Sequence, residues 1–318
     1  MDSDAIVTAA NAAESLPNTS AGKPERNSYQ VRKAIEGLIH LIFLLCGIVA
    51  VAFVLFISIY LIVSGLPAIR EIGLVKFLLG RVWDPTNTTT GAQYGILAFI
   101  LSSVYGTAGA IVVGVPVGLM TAVFLAKVAP PKLAAVIRTA VQLLAGIPSV
   151  VYGLVGMIVL VPAIRNTFSL SSGACLLAAI IVLAIMILPS IIKVSVTALE
   201  AVPQEYEDAS LALGATPIET YFKVSVPAAK SGIAAAVVLG VGRAIGEAMA
   251  VMMVSGNVPN MPGIFTSVRF LTTAVASEMS YSAGLQRQAL FSIALVLFLF
   301  IMLINATLNF FLKRDKEG

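Results

Sequence analysis

Arg243 and Glu247 are the side chains of this sequence most suited to handling charge, because both stand inside the apolar run 231–254. A guanidinium is a permanent planar cation whose forked N–H groups match an oxyanion. A carboxylate four residues further along a helix shares its face and can hold it until a ligand arrives. At the centre of a membrane helix each charge costs about 2.5–3.5 kcal/mol, so the pair needs a compensating partner or function. Two readings stay open: a transport pathway for an oxyanion, or an ion bridge that sets helix register. Intramembrane charge favours the pathway. Gly240, Gly242 and Gly246 thin the same helix, so that a neighbour or a ligand can approach its backbone. A second interruption, Gly146-Ile147-Pro148-Ser149-Val150-Val151-Tyr152-Gly153, places proline between glycines in another apolar run. Irregular backbone survives at membrane depth only where protein or a water cavity satisfies it, which groups Pro148, Ser149 and Tyr152 with the pathway or its packing.

The other chemically distinct stretch is 195–230, polar and acidic between nearly pure apolar flanks. Pro203 opens a helix, Glu205, Glu207 and Asp208 occupy its positive end, and Gly214 supplies its C-terminal stop. Leu199, Tyr206, Ala209, Leu213, Tyr221 and Phe222 add apolar contacts to an otherwise wet segment. A generic helical hairpin on the water side and a docking loop for a partner both fit this pattern.

The elements that must position these residues are membrane helices. Hydrophobic residues make up 58% of the 318 and charged ones only 11%, which excludes a soluble domain's surface. Six apolar stretches approach the roughly 20 residues a bilayer requires. They fall near 37–63, 94–126, 139–162, 174–194, 231–254 and 288–312. Residues 1–36 form a polar tail expected to be disordered, and 313–318 a second short tail. The run after Gly37 is too long for a signal-peptide core and reads as an uncleaved anchor. The second span, with Pro116 and with glycines at 106, 109, 114 and 118, invites close helix approach or a kink. Amphipathic 69–79 and the stretch 270–276 suggest short surface or re-entrant helices.

Six spans with the first tail inside put thirteen Lys and Arg on the cytoplasmic side: Lys23, Arg26, Arg32, Lys33, Lys127, Lys132, Arg138, Lys193, Lys223, Lys230, Lys313, Arg314 and Lys316. Six, Arg70, Lys76, Arg81, Arg165, Arg269 and Arg287, fall outside, and Arg243 completes the 20. This bias predicts both termini and the loop 195–230 in the cytoplasm. The net charge of +4 flanks spans and forms no aromatic-interleaved stripe, so nucleic acid is not an expected partner. Cys46 and Cys175 read as buried hydrophobes rather than a disulfide or metal site. His40 reads as an interfacial residue. No Gly-x-x-x-x-Gly-Lys-Ser/Thr loop is present, and no nucleophile, base and orienting acid assemble from motifs, so an enzyme is not expected.

Asp208-Ala209-Ser210, three residues, Gly214, nine residues and Val224-Ser225-Val226-Pro227 resemble the cytoplasmic loop of ABC-importer permeases. Their pattern is Glu-Ala-Ala, three residues, Gly, nine residues and Ile-x-Leu-Pro. The sequence Arg243-Ala244-Ile245-Gly246-Glu247, with Met249-Ala250-Val251 and Gly256-Asn257, resembles the fifth span of phosphate-specific transport (Pst) permeases. Ile147 to Gly153 is similar to a second stretch of that family. Trp83-Asp84-Pro85, Tyr94-Gly95 and 271–278 look more like its C-type subunit than the A-type paralogue. Ala248 departs from the Thr of many relatives and removes a hydroxyl beside Glu247.

The resemblance covers about residue 80 to the C-terminus and implies an all-α, six-span permease of the type I ABC-importer fold in a prokaryotic inner membrane. It implies that Arg243 and Glu247 serve phosphate movement, and that residues 200–227, including Glu205, Glu207, Asp208, Ala209, Ser210, Gly214 and Pro227, dock an ATPase. The implied partners are a paralogous permease, two ATPase subunits, an external phosphate-binding protein and membrane lipid. No cofactor is expected in this chain; ATP and Mg would be bound by the partner ATPase. The competing expectations are another oxyanion such as sulfate or molybdate, an A-type subunit, or a proton-linked secondary transporter or channel switched by Arg243 and Glu247.

Overall fold

The computed structural model describes residues 26–89 and 91–314. The chain divides into two units, one up to Ile59 and one from Tyr60. In the first, the described backbone is a single helix, the opening part of α1 (Arg26–Ile72). Its apolar side chains from Leu38 to Ile57 are solvent-accessible and hydrocarbon in character, as a bilayer-facing helix demands. The helix starts eleven residues before the expected span. Residues 26–36 are polar but contain no Pro or Gly, and polarity alone does not stop a helix. The rest of the tail, with Lys23, lies outside the described residues, as do Lys316 and its neighbours 315–318.

Among its described residues the second unit is mostly helical, with one small hairpin and an isolated bridge between Gly256 and Val268 in the irregular stretch 255–270. After Gly73, whose φ of 89° ends α1, come α2 (Leu74–Leu79) and the antiparallel pair β1 (Trp83–Asp84) and β2 (Gln93–Tyr94). Then α3 (Leu97–Val123) runs on through a π-helical turn, Phe124–Val128. It forms its most extensive contact with α7 (Leu176–Glu200). The two run parallel. A Cβ at Gly114 would come 2.7 Å from Ile187 Cδ1, and one at Gly118 would come 2.8 Å from Ile191 Cγ2. The glycine spacing of the second span therefore admits the branched side chains of α7, the close approach expected of small residues in membrane helices.

Two parallel helices require a return crossing, and it is not the continuous span 139–162. Residues Pro131–Gly146 form α4 and stop at Ile147-Pro148. The helix long and apolar enough to cross a membrane is 149–167, made of α5 (Ser149–Val155), a π-helical turn and α6 (Val161–Thr167). Pro148 cannot donate to the preceding turn, and this divides the apolar run.

The fifth span is also divided. After the loop, α11 (Lys230–Gly246) meets the preceding 217–228 segment at a 72° bend, then ends, and α12 (Met249–Val254) begins after an extended Glu247. Among the described residues, five helices are long and apolar enough to cross, or six with that bent pair taken as one. The last is in α14 (Gly284–Arg314), and α13 (Leu271–Glu278) precedes it. The loop's water-side part starts at Ala201, because 195–200 continue α7.

Among the described residues, most of the buried hydrophobic side chains gather in three clusters. One surrounds the middle of α7 with Val251, Val254 and Phe270; one holds Trp83, Phe99, Leu271 and Leu290; one joins Leu125, Val196, Leu199 and Ala229 at the loop end.

Candidate functional site: a broken span and its loop

Arg243 lies in the last turn of α11, half-buried. Its Nη1 donates to Ser190 Oγ of α7 at 3.4 Å. Tyr152 of α5 is within electrostatic reach of the guanidinium and donates its hydroxyl to Leu144 O at 2.7 Å, bridging the Pro148 break. Glu247 does not sit one turn further on the same helix, because α11 stops at Gly246 and Glu247 takes φ −74°, ψ 127°. The predicted i,i+4 pair is absent, and among the described residues Arg243 and Glu247 form no ion pair. The carboxylate turns forward: Glu247 Oε1 accepts from the Ala250 amide at 3.0 Å, a charge-assisted cap on the first turn of α12. The Glu247 carbonyl, freed by the helix break, accepts from Thr272 Oγ1 at 2.8 Å.

Thr272 thus secures the break from α13, and the far end of α13 is secured as well. Glu278 accepts from Trp83 Nε1 at 3.1 Å, from Gln286 Nε2 at 3.1 Å and from Arg269 in an ion pair. Arg269 also donates to Asn257 O at 2.8 and 3.1 Å and lies over the Phe99 ring. On the other flank, α12 packs against α5 at Gly153, where a Cβ would fall 2.8 Å from Ala250 Cα. Gly153 is needed for that contact. Gly240 faces Ile191 of α7, whereas a Cβ added at Gly242 or Gly246 would meet no atom of another element within 4 Å among the described residues. Pro148 is exposed and Ser149 half-buried at the start of α5.

The loop folds as α8 (Gln204–Ala212), a turn at Gly214 with φ 88°, α9 (Pro217–Thr220), a π-helical turn and α10 (Val226–Ala228). Its acidic residues divide. Glu205 and Asp208 are exposed, with Asp208 Oδ1 3.4 Å from Gln204 Nε2. Glu207 is buried: it pairs with Lys127, at the end of the α3 span, at 2.5 Å and accepts from Ser225 Oγ at 2.9 Å. Within the loop it therefore lies on the inner face, apart from the exposed Glu205 and Asp208. On α8, Glu207 projects from the side that packs on the membrane helices. Ser210 contacts the Thr220 hydroxyl at 2.9 Å and closes the hairpin, while Ala209 and Pro227 are exposed.

Thr216 and Glu219 form a capping box, with Thr216 N to Glu219 Oε2 at 3.1 Å and Glu219 N to Thr216 Oγ1 at 3.4 Å. The Thr216 amide and hydroxyl, followed by Lys223, hold the Glu219 carboxyl below its ordinary range. Tyr206, Leu213, Ile218 and Phe222 stay exposed, Leu213 at 90%. An apolar side chain that open to water on a defined turn marks a contact surface rather than a core.

Sequence reasoning missed several of these residues. The Thr-Pro-Ile-Glu capping box is legible as a four-residue signature. Ser190, Thr272 and Lys127 have no local signal, since their partners are 53, 25 and 80 positions away.

The chain matches the family described as binding-protein-dependent transport system inner membrane component over residues 114–314. It is 38% identical to the probable ABC transporter permease protein YqgH of Bacillus subtilis, covering 91% of this chain and 96% of the relative. It is 33% identical to the phosphate transport system permease protein PstC of Pasteurella multocida, covering 76% and 82%. Among solved structures, the inward-facing MetNI methionine ABC transporter shares its fold with a TM-score of 0.54 and 21% identity, over 69% of this chain and 97% of that one. With a family match that includes the loop, the broken fifth span and the last span, this chain belongs to the inner membrane components of binding-protein-dependent ABC transport systems.

Proposed function

We propose that the chain is the C-type permease subunit of an ATP-driven importer of inorganic phosphate, and that Arg243 meets the phosphate. The observation that carries this reading is the state of Arg243: a half-buried guanidinium inside a span, with a long bond to a serine and no carboxylate partner among the described residues. Such a group retains most of its forked donors for an incoming oxyanion. The similarity to a permease named for phosphate transport supplies the cargo.

Glu247 has a different task from the one its spacing suggested. By capping α12 and offering its carbonyl to Thr272, it holds the span open at the break, so that Arg243 ends one helix and α12 starts another. The exposed Tyr206, Leu213, Ile218 and Phe222, with Glu205 and Asp208 around them, form the face for a separate ATPase, which would bind the ATP and Mg. Because the loop leads directly into α11 through the 72° bend, displacement of the docked loop moves the helix that ends in Arg243. The remaining parts of this reading are a paralogous permease, two ATPase subunits and an external phosphate-binding protein, with both termini of this chain cytoplasmic.

The test is uptake into proteoliposomes containing the assembled complex and its binding protein. Arg243→Lys should lower phosphate uptake at least about tenfold while assembly is kept, since a point charge replaces a planar fork. Uptake that is unchanged in Arg243→Lys and Arg243→Ala, or wild-type uptake driven by sulfate in place of phosphate, would overturn the reading.

A further inference from the structure

A second polar feature continues from Arg243 along α7. Ser190, Lys193, Thr197 and Glu200 are spaced three, four and three residues apart and so share one face of that helix. Lys193, Thr197 and Glu200 are exposed, while their neighbours Ile192, Val196 and Leu199 are buried. The face lines a cleft of about 420 Å³, closed on its other side by Arg138 and Gln142 of α4. Its inner limit is Pro189 and Ala145, one residue from the serine that binds Arg243.

The charges in the cleft are unequal. Arg138 is held by Glu200 at 2.5 Å and reaches Leu125 O at 3.4 Å, in a pair with both side chains about 40% accessible. Lys193 makes no ion pair among the described residues. The lining thus has two cations to one carboxylate, with a further donor in the Gln142 amide, while the Thr197 hydroxyl donates to Lys193 O at 3.1 Å. A pair as wet as Arg138–Glu200 is readily exchanged for a stronger acceptor.

We propose that this cleft is a second binding site for a phosphate-class oxyanion, with Lys193 as its primary cation and Arg138 released from Glu200 as the anion enters. It rests on the phosphate reading only for the identity of the free anion; the cleft and its charges stand apart from it. An anion leaving Arg243 would pass Ser190 and find Lys193 one helical turn away on the same face. Two sources share this chemistry: inorganic phosphate and the phosphate of a lipid headgroup.

Equilibrium binding of radiolabelled inorganic phosphate to the assembled complex in phosphatidylcholine nanodiscs tests the site, with Arg243→Ala in every sample to remove the mid-span guanidinium. Saturable binding that weakens about tenfold in Lys193→Gln and is largely kept in Lys193→Arg supports it, the size expected for one charge-assisted contact. Discs doped with phosphatidylglycerol, read by native mass spectrometry, identify the source. Lipid that is retained with Lys193 intact and in Lys193→Arg, but lost in Lys193→Gln, assigns the site to a headgroup. Lipid retained equally in Lys193→Gln counts against a headgroup there. If neither phosphate nor lipid binding depends on Lys193, the proposal is overturned. Sulfate titration separates the two readings: a wild-type complex that transports no phosphate but holds sulfate through Lys193 loses the cargo reading and keeps the site.

Discussion

A guanidinium and a carboxylate that are four positions apart in the sequence do different work here. Arg243 keeps its donors available because Glu247 is committed to α12, through the Ala250 amide, and to α13, through Thr272. Glu247→Gln keeps an acceptor oxygen but removes the charge that favours the helix N-terminus, worth about 0.3–1 kcal/mol for that interaction. It should therefore reduce transport moderately, whereas Glu247→Ala, which removes the cap altogether, should reduce it severely; uptake rates of the two variants in one preparation check the order. Thr272→Val keeps the shape and leaves the Glu247 carbonyl without its donor, at a cost of about 1–3 kcal/mol if no water replaces it. The expected result is a lower melting temperature of the complex with subunit composition unchanged. A variant pair with equal effects at Glu247 would show that the charge, rather than the cap, dominates.

The loop element combines a rigid turn with an exposed apolar face. Gly214 has φ 88°, and a Cβ there would meet nothing within 4 Å among the described residues, so a side chain has no steric neighbour but is strained in the left-handed backbone the turn requires, costing about 1–2 kcal/mol. Gly214→Val should change the angle between α8 and α9 and uncouple ATP hydrolysis from uptake while the chain still inserts. Normal uptake with normal ATPase stimulation would remove the turn from the coupling path. The Glu219 cap carries a pH dependence. Its folded-state pKa is depressed, so its stabilisation is present above the unfolded carboxylate value and is lost as pH falls through the lowered one. At neutral pH the cap is complete. Hydrogen exchange at 218–220 should stay slow to below the ordinary carboxylate range, and Thr216→Ala should bring the loss of protection to higher pH.

Across the second unit, the Lys127–Glu207 pair joins the end of a membrane span to the loop, with both side chains at 10% accessibility or less. Lys127→Ala leaves a carboxylate buried without its partner, a change that costs about 3–5 kcal/mol, and the loop should become sensitive to limited proteolysis. Lys127→Met combined with Glu207→Leu should recover most of the protection; failure to recover would mean that the charges themselves are needed. The sequence by itself determined the membrane class, since composition and apolar run length leave little choice, and it determined the loop, whose Pro, Gly and acidic residues act on their own neighbours. It also marked Arg243 as exceptional, because a charge in an apolar run stands out without reference to any partner. What only the tertiary structure decided was where helices stop and which side chains meet. Ala248 and Glu247 are compatible with a helix, yet the span breaks there because Thr272 of α13 takes the free carbonyl and Gly153 of α5 admits α12. Glu205 and Glu207 look alike in the sequence, but one faces water and the other Lys127, 80 residues earlier. Local propensity has a range of a few residues, whereas burial and pairing are properties of the packed helices, and that difference in range divides what was legible from what was not.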